Sequence, residues 1–132
     1  MTNSTFRNAN NSNENNASIE FKDFTVLVKQ LMEAKNITRA ELIEGSCLSK
    51  VTVSRILRNT NNKGSGYTPT MNVVSAICFG LKATDAEAEE LLLSAFPQWK
   101  VGRKYFSKEY GIYDANSILD DNGLSPIGNT EL

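Results

Sequence analysis

Residues 38–59 read "TRAELIEGSCLSKVTVSRILRN". Two helix starts are written into this stretch. Thr38, followed three residues later by Glu41, is a capping box: the threonine hydroxyl accepts from the backbone while the glutamate reaches back to the cap. Leu42 and Ile43 give the short helix that follows an inward side, and "GSC" at 45–47 breaks it. Ser49 is the next N-cap. The helix it opens runs from Lys50 to about Arg58. Val53, Ile56 and Leu57 fall on one side of it, and Lys50, Val51, Ser54, Arg55 and Arg58 fall on the other.

Upstream, the pattern turns helical from Ile19. Phe21, Phe24, Leu27, Val28, Leu31 and Met32 recur at spacings of three and four, which predicts an amphipathic helix ended by "KN" at 35–36. Before it, residues 1–18 contain seven asparagines and little to bury, the composition of a disordered tail. Downstream, "NTNNKGSGYTP" at 59–69 is a loop by composition. Thr70 caps a core helix with Met71, Val74, Ile77, Cys78 and Leu81 at helical spacing. Thr84 and Glu87 form a second capping box, and Pro97 ends the helix that it opens.

From residue 98 the character changes. "WKVGRKYFSKEYG" and "YDANSILDDNG" predict two short helices separated by Gly111 and stopped at Asn122-Gly123. The aromatic residues of 96–113 are expected to pack this hairpin, with a dimer or partner surface as the alternative. The expected organisation is therefore all-α: a tail over 1–18, a five-helix helix-turn-helix domain over 19–97 and a C-terminal helical extension over 98–132.

The 132 residues suit one domain with an appendage, and 40% of them are apolar. There is no histidine, so the commonest general base and metal ligand are missing. Neither a nucleophile-base pair nor a phosphate-binding glycine motif is present. The sequence reads as a non-enzyme with no cofactor and no metal. The start lacks a signal pattern and no apolar run is long enough for a membrane, so the expected setting is the cytoplasm. Cys47 and Cys78 are then expected to be reduced, buried thiols. The net charge is −1, but it is segregated. Residues 38–63 carry five bases against two acids, whereas residues 84–132 carry nine acids against four bases. A nucleic-acid face depends on such local charge more than on the total.

Two short helices joined by a tight turn have a geometric use. The major groove of B-DNA admits one α-helix. That helix enters deeply only when a neighbouring helix holds it clear of the domain. Residues 21–95 resemble the lambda-repressor-like, Cro-type helix-turn-helix domain of phage repressors and bacterial regulators. The resemblance rests on "SKVTVSRI" at 49–56, on "TRAEL" at 38–42 and on "TPTMNVVSAICFGL" at 68–81, in that family's order. The tail "YDANSILDDNGLSPIGN" is similar to extensions of such regulators in Gram-positive bacteria.

The resemblance implies a sequence-specific transcriptional regulator, a repressor, with the 50–58 helix in the major groove of double-stranded DNA. Arg39 would touch a phosphate or flanking base. Ser49 and Thr52 stand at the start of the groove helix. Lys50 and Val51 would face bases, and Ser54 and Arg55 lie one turn further on. Arg58, Asn59, Asn61 and Lys63 would follow the phosphate backbone. Two residues depart from the family pattern: Cys47 stands in place of a left-handed glycine, and Ile43 in place of a small alanine. The expected assembly is a homodimer spanning two half-sites, with a further protein partner conceivable through the C-terminal extension. The alternative is a protein-interaction module that keeps the fold without binding DNA.

Overall fold

The computed structural model describes residues 19–60 and 66–128. The expected tail over 1–18 and the loop residues Asn61 and Lys63 lie outside them. The described residues form seven helices: α1 (Phe24–Lys35), α2 (Arg39–Ser46), α3 (Lys50–Arg58), α4 (Met71–Gly80), α5 (Asp85–Ala95), α6 (Pro97–Gly102) and α7 (Gly111–Asp121). The described residues divide into two units, one within residues 22–96 and one that joins residues 97–128 to residues 19–21.

The first unit is a bundle of α1 to α5. Its helix starts are set by side chains that satisfy otherwise unpaired backbone N–H groups. Asp23 accepts from Val26 N–H at 3.0 Å. Thr38 and Glu41 exchange hydrogen bonds at 3.1 and 2.9 Å, and Thr84 and Glu87 do the same at 3.2 and 2.9 Å. Both capping boxes therefore form as the sequence predicts. Asn36 ends α1 in the left-handed conformation, with φ 59°.

The core gathers Phe24, Leu27 and Val28 of α1, Leu42 of α2, Val53 and Ile56 of α3, Val74 and Ile77 of α4, and Leu91 of α5. Thr25 is buried among them, and its hydroxyl donates to the Ile56 carbonyl at 2.6 Å. That bond ties the last turn of α3 to α1. The Lys35 ammonium meets the Glu87 carboxylate at 2.6 Å and donates to the Lys82 carbonyl at 2.9 Å, linking α1 to the start of α5. Lys35 and the Thr84 N–H hold the Glu87 carboxyl below its usual range.

Helix α2 makes its most extensive helix contact with α4. Gly45 and Gly80 allow it: a Cβ on Gly45 would stand 3.2 Å from the Cα of Gly80. Ile43, which stands in place of a small alanine, is half-buried and packs on the core.

Four expectations are corrected in this bundle. Helix α1 starts at Phe24, because Asp23 is its cap; Phe21 precedes the helix and packs instead with Val101 and Leu119 of the second unit. Met71 is 56% exposed rather than core, since it is the first residue of α4 and helical side chains lean past the N-terminal end. Cys47 is exposed, because its left-handed backbone turns the side chain out of the bundle; Cys78 is half-buried, and burial pushes its thiol pKa up. Pro97 does not merely end α5. Its fixed φ starts α6, where the missing N–H costs nothing.

The second unit pairs α6 with α7 around Val101, Ala115 and Leu119. The Asn116 side chain clasps Ile127 from both sides, accepting its N–H at 2.7 Å and donating to its carbonyl at 3.1 Å. Gly111 does not simply separate two helices; it is the buried first residue of α7. The expected packing of the aromatic residues holds for Phe96 and Tyr105, which lie against the first and second cores, and fails for the other four. Trp99, Phe106, Tyr110 and Tyr113 are each more than half exposed. Three small or medium buried side chains make too small a core to cover them. No described helix is long and apolar enough to cross a membrane.

Candidate nucleic-acid interface

The turn between α2 and α3 is built from three side chains. Cys47 takes φ 58° and ψ 24°, and its N–H reaches the Glu44 carbonyl at 3.4 Å. Ser46 is buried; its hydroxyl donates to the Ile43 carbonyl at 3.3 Å and accepts the Leu48 N–H at 3.2 Å. Leu48 then packs on the core. Ser49 closes the turn. Its oxygen accepts the Thr52 N–H at 3.1 Å while its hydroxyl donates to Thr52 Oγ1 at 3.0 Å. Ser49 and Thr52 thus spend hydrogen bonds on each other and fix where α3 begins.

Helix α3 is sharply two-sided. Val53 and Ile56 are fully buried, whereas Lys50 and Arg58 are exposed and Val51 is 56% exposed. Ser54 and Arg55 are intermediate, one turn along from Lys50 and Val51. An exposed valine between cations at a helix start is a poor arrangement for water and a suitable one for a base edge, where a thymine methyl offers apolar contact. Arg39 is exposed as the first residue of α2. The Glu41 carboxyl behind it is held below its usual range, chiefly by the Thr38 N–H and then by its hydroxyl.

Asn59 ends α3 with φ 55°, and its side-chain oxygen accepts the Tyr67 N–H at 3.2 Å. The side chain thereby pins the returning strand of the loop to the end of α3. Tyr67 packs on the core, and burial raises its phenol pKa although the charge of Arg55 acts the other way. Tyr67, Thr25 and Ser46 were not singled out in the sequence. Thr25 had a signal, because it falls within the apolar face of α1. Tyr67 had none, since its place depends on how the loop returns.

The structure therefore brings Lys50, Val51, Ser54, Arg55 and Arg58 onto one helix, and sets Ser49, Thr52 and Asn59 at its two ends. Asn61 and Lys63 lie outside the described residues. Among the described residues, no group of acids and cysteines is placed to hold a metal ion.

Replacing Cys47 by glycine tests the turn. A non-glycine residue in the left-handed region carries about 1–2 kcal/mol of strain, offset by about 0.4–1 kcal/mol of unfolded-chain freedom gained with glycine. The expected result is a gain of about 0.5–1 kcal/mol in urea unfolding. A loss of stability would mean that the Cys47 side chain supports the turn.

Comparison with protein-family models, with curated proteins and with solved structures returned no match.

Proposed function

We propose that this protein is a sequence-specific DNA-binding regulator of the lambda-repressor-like helix-turn-helix kind, with α3 as the helix that enters the major groove. One observation carries the reading. Helix α3 is anchored by Val53 and Ile56 while Lys50, Val51, Ser54, Arg55 and Arg58 face outward at the end of a braced, left-handed turn. Arg39, exposed at the start of α2, supplies a phosphate contact. Repression follows from occupancy alone, since a protein bound over a promoter excludes other proteins from it.

Selection of bound sequences from a random DNA pool tests the proposal. A single enriched motif is expected for the wild type and none for a Lys50→Ala, Arg55→Ala double variant. Failure of the wild type to enrich any motif would favour the protein-interaction module instead.

On the selected site, Arg55→Ala is expected to weaken binding by about 1–3 kcal/mol at fixed salt. The salt dependence separates two roles. If Arg55 meets a phosphate, the slope of log affinity against log salt falls by about 1; if it meets a base, affinity drops and the slope is kept. Unchanged affinity would remove Arg55, and with it the assignment of α3.

A further inference from the structure

The second unit carries a hollow of about 160 Å³. Its buried lining is Gly102, Gly111 and Ala115, and its exposed lining is Phe106, Lys108 and Ile112. Much of this lining is fixed before anything binds. Gly111 is wedged against the backbone of Tyr105. Ile127, a further lining residue, is held by the Asn116 side chain through its own N–H at 2.7 Å and its carbonyl at 3.1 Å. Gly102 lets its neighbours close in: a Cβ there would stand 3.2 Å from the Phe106 ring and 3.3 Å from Ile127 Cδ1. A site whose walls are already set loses little ordering entropy on binding.

The volume suits one side chain. An apolar cavity of about 150 Å³ holds benzene, so this hollow holds a phenylalanine ring or a leucine side chain. Apolar surface continues past it. Trp99 is not part of the lining, but its ring lies 5.2 Å from that of Phe106. Trp99 is 52% exposed and Phe106 64%. A small molecule that filled the hollow would leave this pair of rings in water. A chain segment that drops one side chain into the hollow covers the pair as well. Protein contacts are commonly anchored in this way, by one large side chain in a pocket ringed with aromatic residues.

The charge fixes what flanks that side chain. Among the described residues that line the hollow, Lys108 is the charged one. Its ammonium offers donors and no acceptor, so a carboxylate is its match. Nucleic acid and an anionic lipid surface fit less well. Residues 19–21 and 97–128 together carry four bases against five acids, which gives no positive field over the unit as a whole. A single carboxylate beside an apolar side chain needs only the one lysine.

We propose that this hollow is a docking site for a peptide segment of another protein, which inserts a leucine or aromatic side chain and sets an aspartate or glutamate against Lys108. The site goes beyond the DNA reading and does not depend on it, so it is tested without DNA.

Selection from a displayed library of random peptides against the full chain is the first measurement. The enriched peptides should share one large apolar residue with an acidic neighbour. A fluorescently labelled synthetic peptide of that sequence should bind a Phe106→Ser, Ile112→Ser variant at least about tenfold more weakly than the wild type in an anisotropy titration. Both residues are exposed, so their loss leaves the buried core of Val101, Ala115 and Leu119 in place. Lys108→Glu supplies a readout that unfolding does not mimic. It should weaken binding of the acidic peptide and strengthen binding of the same peptide with lysine in place of the acid. The proposal is overturned if no sequence is enriched, or if the enriched sequences lack the acid or carry bases instead. It is overturned equally if the Phe106→Ser, Ile112→Ser variant binds as the wild type does, or if Lys108→Glu leaves the preference between the two peptides unchanged. Should the Phe106→Ser, Ile112→Ser change instead abolish binding of a single-stranded oligonucleotide, or dissociate copies of the chain in sedimentation, the face serves that partner and the peptide site fails.

Discussion

Alanine at Gly111 is expected to dismantle the pairing of α6 with α7. Gly111 is buried at the first position of α7, directly against the backbone of Tyr105. A Cβ there would lie deep inside the Tyr105 carbonyl oxygen, 3.1 Å from its carbon and 3.2 Å from the tyrosine Cβ. A long flexible side chain could swing away, but a carbonyl cannot move alone. The Tyr105 oxygen already accepts the Lys108 N–H at 3.1 Å, the Lys108 oxygen accepts the Gly111 N–H at 3.0 Å, and the Tyr105 N–H is held by the Gly102 carbonyl at 2.8 Å. Shifting one link of this series of turns disturbs the rest. Tyr110, just before the glycine, sits at φ 59° and has no side-chain cap to offset the loss. Overpacking usually costs about 1–3 kcal/mol, and collision with a fixed backbone atom belongs at or above the upper end. Residue-resolved hydrogen exchange is the measurement: amides of 111–124 should lose their protection in Gly111→Ala. Protection equal to that of the wild type would show that the 103–110 turns yield easily.

Gly111 also marks how far the sequence could be read. Its role as a boundary was legible, because a glycine between two apolar segments is a local signal. Its burial against Tyr105 was not, since that depends on how the turns of 103–110 fold back. The same division runs through the molecule. Thr38 and Glu41, or Thr84 and Glu87, are four-residue devices with internal partners, and each formed as written. Ser49 and the outward set of α3 were legible for a related reason: nine residues of helix fix their own faces. Phe21 and Met71 were misplaced because burial at a helix end depends on where the end falls. Asp23, rather than Ile19, sets the start of α1, and Met71 projects past the start of α4. Cys47 was read from its apolar character, but its backbone conformation decided its exposure. Trp99, Phe106 and Tyr113 were assigned to a core because they are large and apolar. A side chain is buried only if enough of the unit lies over it, and no local pattern counts that. For the candidate site, the residues facing outward were in the sequence, whereas Ser46 and Tyr67, which act at the two ends of α3, were not.

Leu42→Ala carries the other large effect, and it bears on how α3 is presented. Leu42 is fully buried in α2, facing α4 where Gly80 leaves room for it. The fit is close: a Cβ on Gly80 would stand 2.7 Å from Leu42 Cδ1. Truncation to alanine removes three carbons from a site walled on one side by the Gly80 backbone, and backbone does not collapse readily into a void. The expected loss is therefore in the range of about 2–5 kcal/mol, against a total stability of about 5–15 kcal/mol for a typical domain. Chemical denaturation should show it as a lower midpoint with an unchanged slope. A second substitution makes the argument specific to this contact. Gly80→Ala in the wild type overpacks the same site and should cost about 1–3 kcal/mol. In the Leu42→Ala background the added methyl enters space that the leucine has vacated, so the double variant should be less destabilised than the two losses combined. The compensation is partial, because the Leu42 carbonyl and the Ser46 Cβ, each 3.1 Å from that methyl, remain. Coupling of about 0.5–3 kcal/mol in the favourable direction is expected for side chains in direct contact. Strict additivity would mean that α2 and α4 move apart to relieve Gly80→Ala. Since Ser46 also braces the turn that leads into α3, such movement would carry Lys50 and Arg55 with it, and under the proposed DNA reading affinity for a selected site would fall in Gly80→Ala.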